Sequence, residues 1–441
     1  MTNAESTNPE STTPEPATPE PATPEPSGVG RRRFFQGAVG GVAVGALAAG
    51  GTAWGIGTRP TVTTATADDH DVVDLTARHP FYDQAHPPGV QTAPQRHAIV
   101  MTFDMLKGTT AADLKLLLAR WTAAIAQLTQ GKPIGQIQPA HPEALGQDTG
   151  EAAGLDPASL TITVGLGPGI FDGRFGLQDK RPALLKPLPA LPSDSLSPSL
   201  TGGDLSLQVC ADDPQVCYHA VRNLARMARD TVQTGWTVIG FGRASAGAGQ
   251  QTPRNLLGFK DGTRNIKEPA DFDEHVWLSD ADWMTGGTYQ VVRKIEMDIE
   301  IWDADRVSDQ EQVFGRTKLE GAPLTGTKEL DTPKFAAKDK AGTPVIDPTA
   351  HVALAAHENN GGVKILRRSY NYTDGINAYG QLDAGLLFVA YMNDPAHFIR
   401  LQTALGANDL LNEYITHVGS AIFAVPPTPK TGHYIGEQLF A

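Results

Sequence analysis

The sequence predicts an α+β fold in which two successive domains repeat the same order of strands and helices. Its 441 residues, 40% of them hydrophobic and 19% charged, are enough for two folded domains with cores of their own. Short runs in which apolar and polar residues alternate indicate strands, and longer runs with apolar residues every three to four positions indicate helices. The order of these runs in the first half returns in the second half.

The first half has the order strand, helix, strand, strand, helix, strand. One of its predicted helices carries an apolar stripe that includes Leu114, Trp121 and Ile125. This order is the split βαβ arrangement of ferredoxin-like domains, which predicts an antiparallel sheet with both helices on one face. The predicted strands are 97–104, 160–164, 205–209 and 237–241, and the predicted helices are 111–127 and 216–232.

The second half repeats this order with larger insertions, so we place the two domains at 68–255 and 256–441. The insertion at 318–362 is rich in Pro, Lys, Asp and Gly, and long insertions in a compact domain are usually functional or disordered. It contains His351 and His357, which favours function. The predicted strands are 289–302, 364–370, 386–392 and 418–425, and the predicted helices are 309–317 and 398–405.

Charge and cysteine content exclude two classes of protein. The formal net charge is −13 and no basic stripe is visible, whereas a nucleic-acid-binding protein normally shows one. Two cysteines cannot form a disulfide framework, and Cys210 and Cys217 lack the partners and spacing of a zinc knuckle. They are either small buried hydrophobic residues, the interpretation we favour, or the two ends of one bridge in an oxidising compartment.

The first 67 residues precede the predicted domains. Residues 1–30 repeat Thr-Pro-Glu-Pro-Ala units with almost no apolar side chains and are predicted to be disordered. The region 31–67 begins with RRRFFQ, continues with an uncharged Gly/Ala/Val run, and resembles a twin-arginine signal with a cleavage site at 65–67. Such a signal predicts passage through the twin-arginine translocase to a periplasmic or extracellular location. The alternative is a transmembrane anchor, although the glycine content of the run makes it a poor helix.

Three features of the second half carry candidate chemistry. The segment at 258–265 sets Asp261 between two glycines with cations on both sides, which suits acid–base chemistry, although Asp-Gly is also a common turn. His351 lies in a short apolar run that is typical of a helix, where a histidine is more often a core residue than a ligand. Arg367 and Arg368 are adjacent on a predicted strand and point to opposite faces, so one of them points inward and needs an anion.

Four segments, in this order and behind the export signal, resemble the dye-decolourising peroxidases, and within that family the exported, deferrochelatase-like branch. They are GFKDGTRN at 258–265, AHVALA at 350–355, ILRRSYNY at 365–372 and GQLDAGLLFVAYMND at 380–394. The resemblance covers about 68–441. It implies two ferredoxin-like (βαββαβ) domains that form a dye-decolourising-peroxidase α+β barrel fold. It also implies a pair of facing sheets and one haem b per chain, bound between sheet and helices.

The resemblance also assigns roles to residues. It makes Asp261 the distal acid, Arg367 the distal arginine and His351 the proximal ligand of the haem iron. Arg368 stays a lesser candidate for the distal arginine. The further cofactor contacts that the resemblance implies are Gly262, Thr263, Arg264, Ala356, His357 and Glu358.

The activity implied by the resemblance is that of a peroxidase, which reduces hydrogen peroxide and oxidises bulky organic donors such as dyes and phenolics. Asp261 would move a proton between the two peroxide oxygens, and Arg367 would stabilise negative charge on the departing oxygen. A carboxylate in place of a histidine base predicts activity that favours acidic pH. The hydrogen-bond partner of His351 is open, with Asp383 and Asp394 as the acidic residues of the last domain that could fill the role.

Two other functions stay open. The chain is alternatively a haem- and iron-handling, deferrochelatase-like protein of an exported iron-uptake system, with partners from that system. The third interpretation is a haem-free α+β binding protein. The resemblance further implies self-association as a homodimer, and the sequence offers no basis for choosing the Trp or Tyr through which electrons enter.

Overall fold

The computed structural model describes residues 73–441. The segment 1–30, the region 31–67 with its cleavage site, and the start of the first predicted domain lie outside the described residues. Between 73 and 441, no helix is both long enough and apolar enough to cross a membrane.

Nine strands and seven α-helices make up the described part of the chain. The strands are β1 (His97–Met105), β2 (Thr161–Leu166), β3 (Leu205–Ala211), β4 (Val232–Arg243), β5 (Thr288–Met297), β6 (Leu366–Arg367), β7 (Tyr370–Ile376), β8 (Leu382–Met392) and β9 (Ile415–Val425). The helices are α1 (Ala111–Leu128), α2 (Pro214–Ala228), α3 (Pro269–His275), α4 (Ile299–Ala304), α5 (Val307–Phe314), α6 (His351–Ala355) and α7 (Pro395–Asn408). The predicted order of elements in the first half is confirmed.

All nine strands belong to one antiparallel sheet, in the order β5-β9-β2-β3-β1-β4-β7-β8-β6. Because β5 pairs with β8 as well as with β9, eight strands close into a barrel, and β6 continues the line of β7 along β8. The two halves of the chain meet where β4 pairs with β7 and β2 with β9. The α+β barrel is confirmed, and its two facing sheets are the walls of one closed sheet.

Helices α1 and α2 cover the outer face of the first half of the barrel. Helix α1 begins with a capping box, in which Thr110 Oγ1 accepts from Asp113 N at 3.3 Å and the Asp113 carboxylate accepts from Thr110 N at 2.8 Å. Trp121 of α1 donates from Nε1 to the carbonyl oxygen of Leu224 on α2 at 2.9 Å. Phe103 of β1 packs against the same indole ring. The two helices therefore lie on one face, as predicted.

The second helix of the first half is shorter than predicted. The prediction placed it over 216–232, but α2 ends at Ala228 and the chain enters β4 at Val232. Val232 pairs with Met105 of β1, so its apolar side chain serves the sheet rather than the helix. The strand predicted at 237–241 is therefore the middle of a longer strand.

The second half departs further from the prediction. The strand predicted over 289–302 ends at Met297, because the chain turns into α4 and buries Trp302 among other aromatic rings. The helix predicted over 309–317 is shorter, since the residue after α5 is a glycine in the left-handed conformation. The strand predicted over 364–370 is divided into β6 and the start of β7. Three short helices, α4 to α6, thus stand between the first two strands of this half.

Two buried layers lie on the two sides of the barrel wall. One fills the space between the outer face and the helices, and the other fills the interior. Cys217 belongs to the outer layer and Cys210 to the interior, and both are free thiols. They are the small buried residues that the sequence favoured, not the two ends of a bridge.

Candidate active site

A cavity of about 250 Å³ opens in the second half of the barrel. Its walls come from strands β5, β8 and β9, from helices α6 and α7, and from the loop that contains the acidic segment 258–265. Asp261, Arg367 and His351 all line this cavity. The structure therefore brings together the three residues to which the sequence assigns the chemistry.

Asp261 and Arg367 form an ion pair at the cavity wall. Arg367 NH1 donates to Asp261 Oδ1 at 2.6 Å, and Asn255 Nδ2 donates to Asp261 Oδ2 at 3.2 Å. Both carboxylate oxygens are engaged, which holds the group in one orientation. The side chains of Asp261 and Arg367 remain 15% and 29% exposed, so both can reach a molecule in the cavity.

Backbone geometry sets the position of this pair. Gly262, directly after Asp261, has φ +92°, and a Cβ at this position would lie 3.0 Å from Ala246 N, so only glycine fits. Asn265 connects the loop to β6, because its side chain accepts from Arg367 N and donates to Arg367 O, both at 2.8 Å. One side-chain amide thus holds the acid and the arginine in register.

His351 is the first residue of α6, and its imidazole is bonded to Asp409. Nδ1 lies 2.6 Å from Asp409 Oδ2, and because a carboxylate accepts only, Nδ1 carries the proton. In the neutral imidazole Nε2 therefore keeps a lone pair, and no residue between 73 and 441 hydrogen-bonds to it. Burial acts to lower the pKa of His351, but the Asp409 carboxylate outweighs burial and raises this pKa overall, with a smaller contribution from Asp261.

Asp409 is a cavity residue that the sequence did not reveal as the partner of His351. Its Oδ1 caps the turn after α7, while its Oδ2 holds the imidazole of His351. The two hydrogen-bond partners that the sequence suggested for His351 are both wrong. Asp394 caps α7, and Asp383 lies 3.6 Å from Lys294 Nζ. An Asp ahead of an apolar turn signals a cap, but no spacing rule connects it with a histidine 58 residues earlier.

Arg368 points into the barrel interior and does not line the cavity. Its guanidinium donates to the carbonyl oxygen of Thr92 and to Gln95 Oε1. The buried ring of Tyr370 is a further neighbour. The opposite directions of Arg367 and Arg368 are as predicted, and they remove Arg368 as a candidate for the distal arginine.

The predicted cofactor contacts gather at the rim of the cavity. Arg264 forms a two-pronged ion pair with Glu358, at 2.7 and 3.0 Å, and its NH2 lies 3.5 Å from His357 Nε2. The hydrogen bond from Arg264 lowers the pKa of Glu358, and burial lowers the pKa of His357. Contact of these residues with a cofactor stays a prediction. Those that line the cavity directly are Gly262, Thr263, Arg264, Ala356 and His357.

Arg316 is a cavity residue that has no signal in the sequence. It is 8% exposed, and its NH1 donates to the carbonyl oxygens of Gly321 at 2.6 Å and Glu329 at 3.0 Å. It forms no ion pair within the described chain. Burial, together with the charges of Arg264 and Arg367, lowers the pKa of Arg316. A buried cation without a paired anion, beside two more arginines, makes the cavity suitable for an anionic group.

Comparison with protein families identifies the class to which this barrel and cavity belong. Residues 87–242 match the family model for the N-terminal domain of Dyp-type peroxidases, and residues 252–430 match the model for the C-terminal domain. The chain therefore belongs to the Dyp-type peroxidase family, whose members are oxidoreductases.

Individual relatives agree with this assignment. The chain is 40% identical over 346 residues to the dye-decolorizing peroxidase of Thermobifida fusca, covering 76% of this chain and 77% of the relative. It is 35% identical over 373 residues to the deferrochelatase of Escherichia coli K12, covering 82% and 87%. Among solved structures, an oxyferrous complex of DtpA from Streptomyces lividans matches with a TM-score of 0.76 at 37% identity, covering 83% and 98%. A DyP-type peroxidase from Cellulomonas bogoriensis matches with a TM-score of 0.74 at 38% identity, covering 82% and 98%.

Proposed function

We propose that this protein is a haem b peroxidase, with one haem per chain, that reduces hydrogen peroxide and oxidises bulky organic donors such as dyes and phenolics. The observation that carries the proposal is that one cavity contains both the Asp261–Arg367 ion pair and the free Nε2 of His351. An acid beside a fixed cation suits proton transfer to and from peroxide, and a free imidazole nitrogen suits an iron ligand.

The residues of the cavity fit a haem group in three respects. His351 offers Nε2 as the ligand, and Asp409 orients the ring and makes that nitrogen more basic. Apolar side chains of β5 and β8, among them Ile295 and Phe388, suit the flat macrocycle. The unpaired guanidinium of Arg316 suits the carboxylates that haem carries.

When bound, haem supplies the iron at which peroxide is reduced. Asp261 takes a proton from one peroxide oxygen and delivers it to the other. Arg367 stabilises the negative charge that develops on the departing oxygen. Its ion pair with Asp261, together with the bond from Asn255, keeps the carboxylate in place for both transfers. Reduction of one peroxide to two waters consumes two electrons, so each cycle oxidises two one-electron donors.

A line of aromatic rings leads from the cavity to Tyr414, a buried residue whose hydroxyl is bonded to the half-buried Asp305. The ring centroids are 5.8 Å apart for His351 and Phe314, 5.7 Å for Phe314 and Trp302, and 4.9 Å for Trp302 and Tyr414. The Tyr414 hydroxyl donates to Asp305 Oδ2 at 2.5 Å, and this bond raises the pKa of Tyr414 to about 12. An oxidised tyrosine releases its proton, and Asp305 is placed to accept it. The arrangement supports electron entry through Tyr414 and Trp302 from donors too large for the cavity.

The variant Asp261→Asn tests the proposal. The amide keeps the shape of the carboxylate but cannot carry the proton, so we expect dye turnover to fall at least about 100-fold. The Soret band should remain, because His351 still binds the iron. Asp383→Asn is the matched control, since Asp383 lies beside Lys294 and outside the cavity, and it should leave turnover unchanged. Normal turnover in Asp261→Asn would contradict the proposal.

Haem and iron handling in an exported uptake system is the second candidate function, and the similarity to deferrochelatases favours it. Under this function, haem-loaded protein should release iron and leave protoporphyrin, which fluorescence detects. Haem-loaded protein that yields neither protoporphyrin nor free iron on long incubation, with or without a reductant, would exclude this function.

We also propose export by the twin-arginine translocase to the periplasm or the exterior. The support is the RRRFFQ segment ahead of an uncharged run. Replacing its three arginines by lysine should retain the protein in the cytoplasm, as cell fractionation would measure. Unchanged export of that variant would contradict the proposal.

A further inference from the structure

Helix α3 carries a cluster of ligating side chains outside the cavity described above. Asp271, Glu274 and His275 follow the spacing i, i+3, i+4, which places them on one side of the helix. One ligand atom from each of the three residues lies within 4.8 Å of the other two. Three ligand atoms at such distances can share one metal ion.

The burial of His275 and the lack of hydrogen bonds to its ring indicate that this cluster binds a ligand. Its imidazole is only 9% exposed, and no hydrogen bond engages the ring anywhere in the described chain. Glu274 Oε1 lies 3.7 Å from Nε2, beyond hydrogen-bonding distance, so Nε2 faces a carboxylate of the cluster without a hydrogen bond to it. Buried imidazoles are normally hydrogen-bonded. The ring also packs edge-on against His397, whose Nδ1 is buried and without a hydrogen-bond partner.

We propose that Asp271, Glu274 and His275 bind one divalent first-row transition metal ion, at a site separate from the haem cavity. One imidazole nitrogen and two carboxylate oxygens suit Zn²⁺ and its neighbours in the series. Mg²⁺ and Ca²⁺ prefer oxygen ligands alone and would leave His275 unused. Among residues 73–441, one lysine or arginine is bonded to a carboxylate of the cluster, namely Lys364 to Asp271.

That lysine connects the metal site with the cavity. Lys364 Nζ donates to Asp271 Oδ1 at 2.8 Å, and Lys364 also lines the cavity. A metal ion bound by Asp271 competes with the ammonium group, since both cations are attracted to one carboxylate. Metal binding therefore weakens the ion pair between Lys364 and Asp271 and changes the charge beside the cavity rim.

Zn²⁺ titration of the haem-loaded protein by isothermal calorimetry tests the site. We expect one Zn²⁺ per chain, with affinity reduced about tenfold or more in Glu274→Gln and in His275→Gln. Glu274 is largely exposed, so its variant should fold normally. Asp273→Asn is the matched control, because it removes an exposed carboxylate of the same helix that is not in the cluster, and it should bind Zn²⁺ as the unaltered protein does. Absence of Zn²⁺ binding, or equal affinity in all four proteins, would overturn the proposal.

A second variant, which should strengthen Zn²⁺ binding, distinguishes a specific metal site from non-specific attraction of cations to acidic residues. Lys364→Met removes the competing cation, so Zn²⁺ should bind several-fold more tightly than to the unaltered protein. Mg²⁺ should not compete with Zn²⁺ at equal concentration. Unchanged or weaker Zn²⁺ binding in Lys364→Met, or equal binding of Mg²⁺, would overturn the assignment.

Discussion

The two halves of the barrel have the same order of strands and helices, but the segments between their first two strands form different helices. In the first half, the segment between the first two strands forms the long helix α1, and the buried side chain of Trp121 packs between that helix, β1 and α2. In the second half, the corresponding segment, between β5 and β6, forms only the short helices α4, α5 and α6. This region contains the cavity. The candidate active site therefore lies where the repeated order of elements lacks a continuous helix to fill the space.

Each half also contains a histidine bonded to carboxylates, with different consequences. His219 in the first half has Nδ1 at 3.2 Å from Glu151 Oε2 and Nε2 at 3.5 Å from Asp148 Oδ2, so carboxylates lie beside both nitrogens. His351 in the second half has only Nδ1 occupied, by Asp409. The first histidine therefore links structural segments, and the second offers a free nitrogen to a ligand.

Replacing each histidine by alanine gives the largest expected difference between the halves. His351→Ala removes the ligand nitrogen, so the purified protein should lose the Soret band completely while its far-ultraviolet circular dichroism is unchanged. His219→Ala leaves the carboxylates of Asp148 and Glu151 without their shared partner, which should lower Tm by several degrees and leave haem content unchanged. Haem retention in His351→Ala, or haem loss from folded His219→Ala, would break the contrast.

The residues of the site differ in how far the sequence could predict them. Asp261, His351 and Arg367 stand in short segments that resemble those of the dye-decolourising peroxidases, and the structure places all three on one cavity. Asp409 and Arg316 stand in no such segment. Asp409 acquires its role through a contact across 58 residues, and Arg316 through burial beside other arginines, and both depend on tertiary packing.

The elements of the fold also differ in how well the sequence predicted them. Periodicity predicted the first half well, because α1 and α2 each pack one apolar face on the sheet. It extended the strand at 289–302 too far, because alternating apolar residues continue past Met297 while Trp302 is buried by a helical turn. Local alternation could not register the aromatic cluster that decides the direction of the chain there.

Acid should remove the stability contributed by His417 in the second half at a higher pH than the stability contributed by Glu151 in the first half. Burial, and secondarily the charge of Arg293, lower the pKa of His417 from 6.5 to about 3. The unfolded chain binds this proton first, so the stability from His417 is complete above pH 6.5 and is lost as the pH falls towards 3. In the first half, burial acts to raise the pKa of Glu151, but hydrogen bonds, the largest from Thr149 and smaller ones from Arg222 and His219, lower it from 4.5 to about 2. Stability from Glu151 is therefore lost only between those two values.

Urea unfolding at two pH values measures this difference. Between about pH 7.5 and pH 4.5, the unaltered protein should lose on the order of 2–3 kcal/mol of unfolding free energy through His417, a loss that is absent in His417→Gln. Glu151→Gln is the matched variant in the first half. It should keep the loss due to His417 over the same interval, because the carboxylate of Glu151 stays largely ionised there. If the free energy of unfolding depends equally on pH in the unaltered protein and in His417→Gln, the loss at acid pH does not come from His417.

Electron entry from bulky donors is the smallest effect that should distinguish the halves. In the second half, Tyr414 is the last ring of the line that starts at His351, and its hydroxyl is bonded to the proton acceptor Asp305. In the first half, Tyr218 on α2 is 51% exposed but contacts no aromatic ring among the described residues. Tyr414→Phe keeps the packing on Trp302 but removes the hydroxyl, so turnover of a bulky anthraquinone dye should fall about threefold to tenfold, or up to ~1.4 kcal/mol in barrier. A small phenol that enters the cavity should be oxidised at the original rate.

The matched variant Tyr218→Phe should change neither rate, because within residues 73–441 no other aromatic ring contacts Tyr218 and could connect it to the cavity. Steady-state turnover of both donors by the two variants decides the point. If Tyr414→Phe oxidises the dye at the original rate, bulky donors must give their electrons at the cavity itself, and the aromatic line only packs the space beside α4. If Tyr218→Phe slows the dye instead, the first half contributes more than a scaffold, and the division of labour between the halves is wrong.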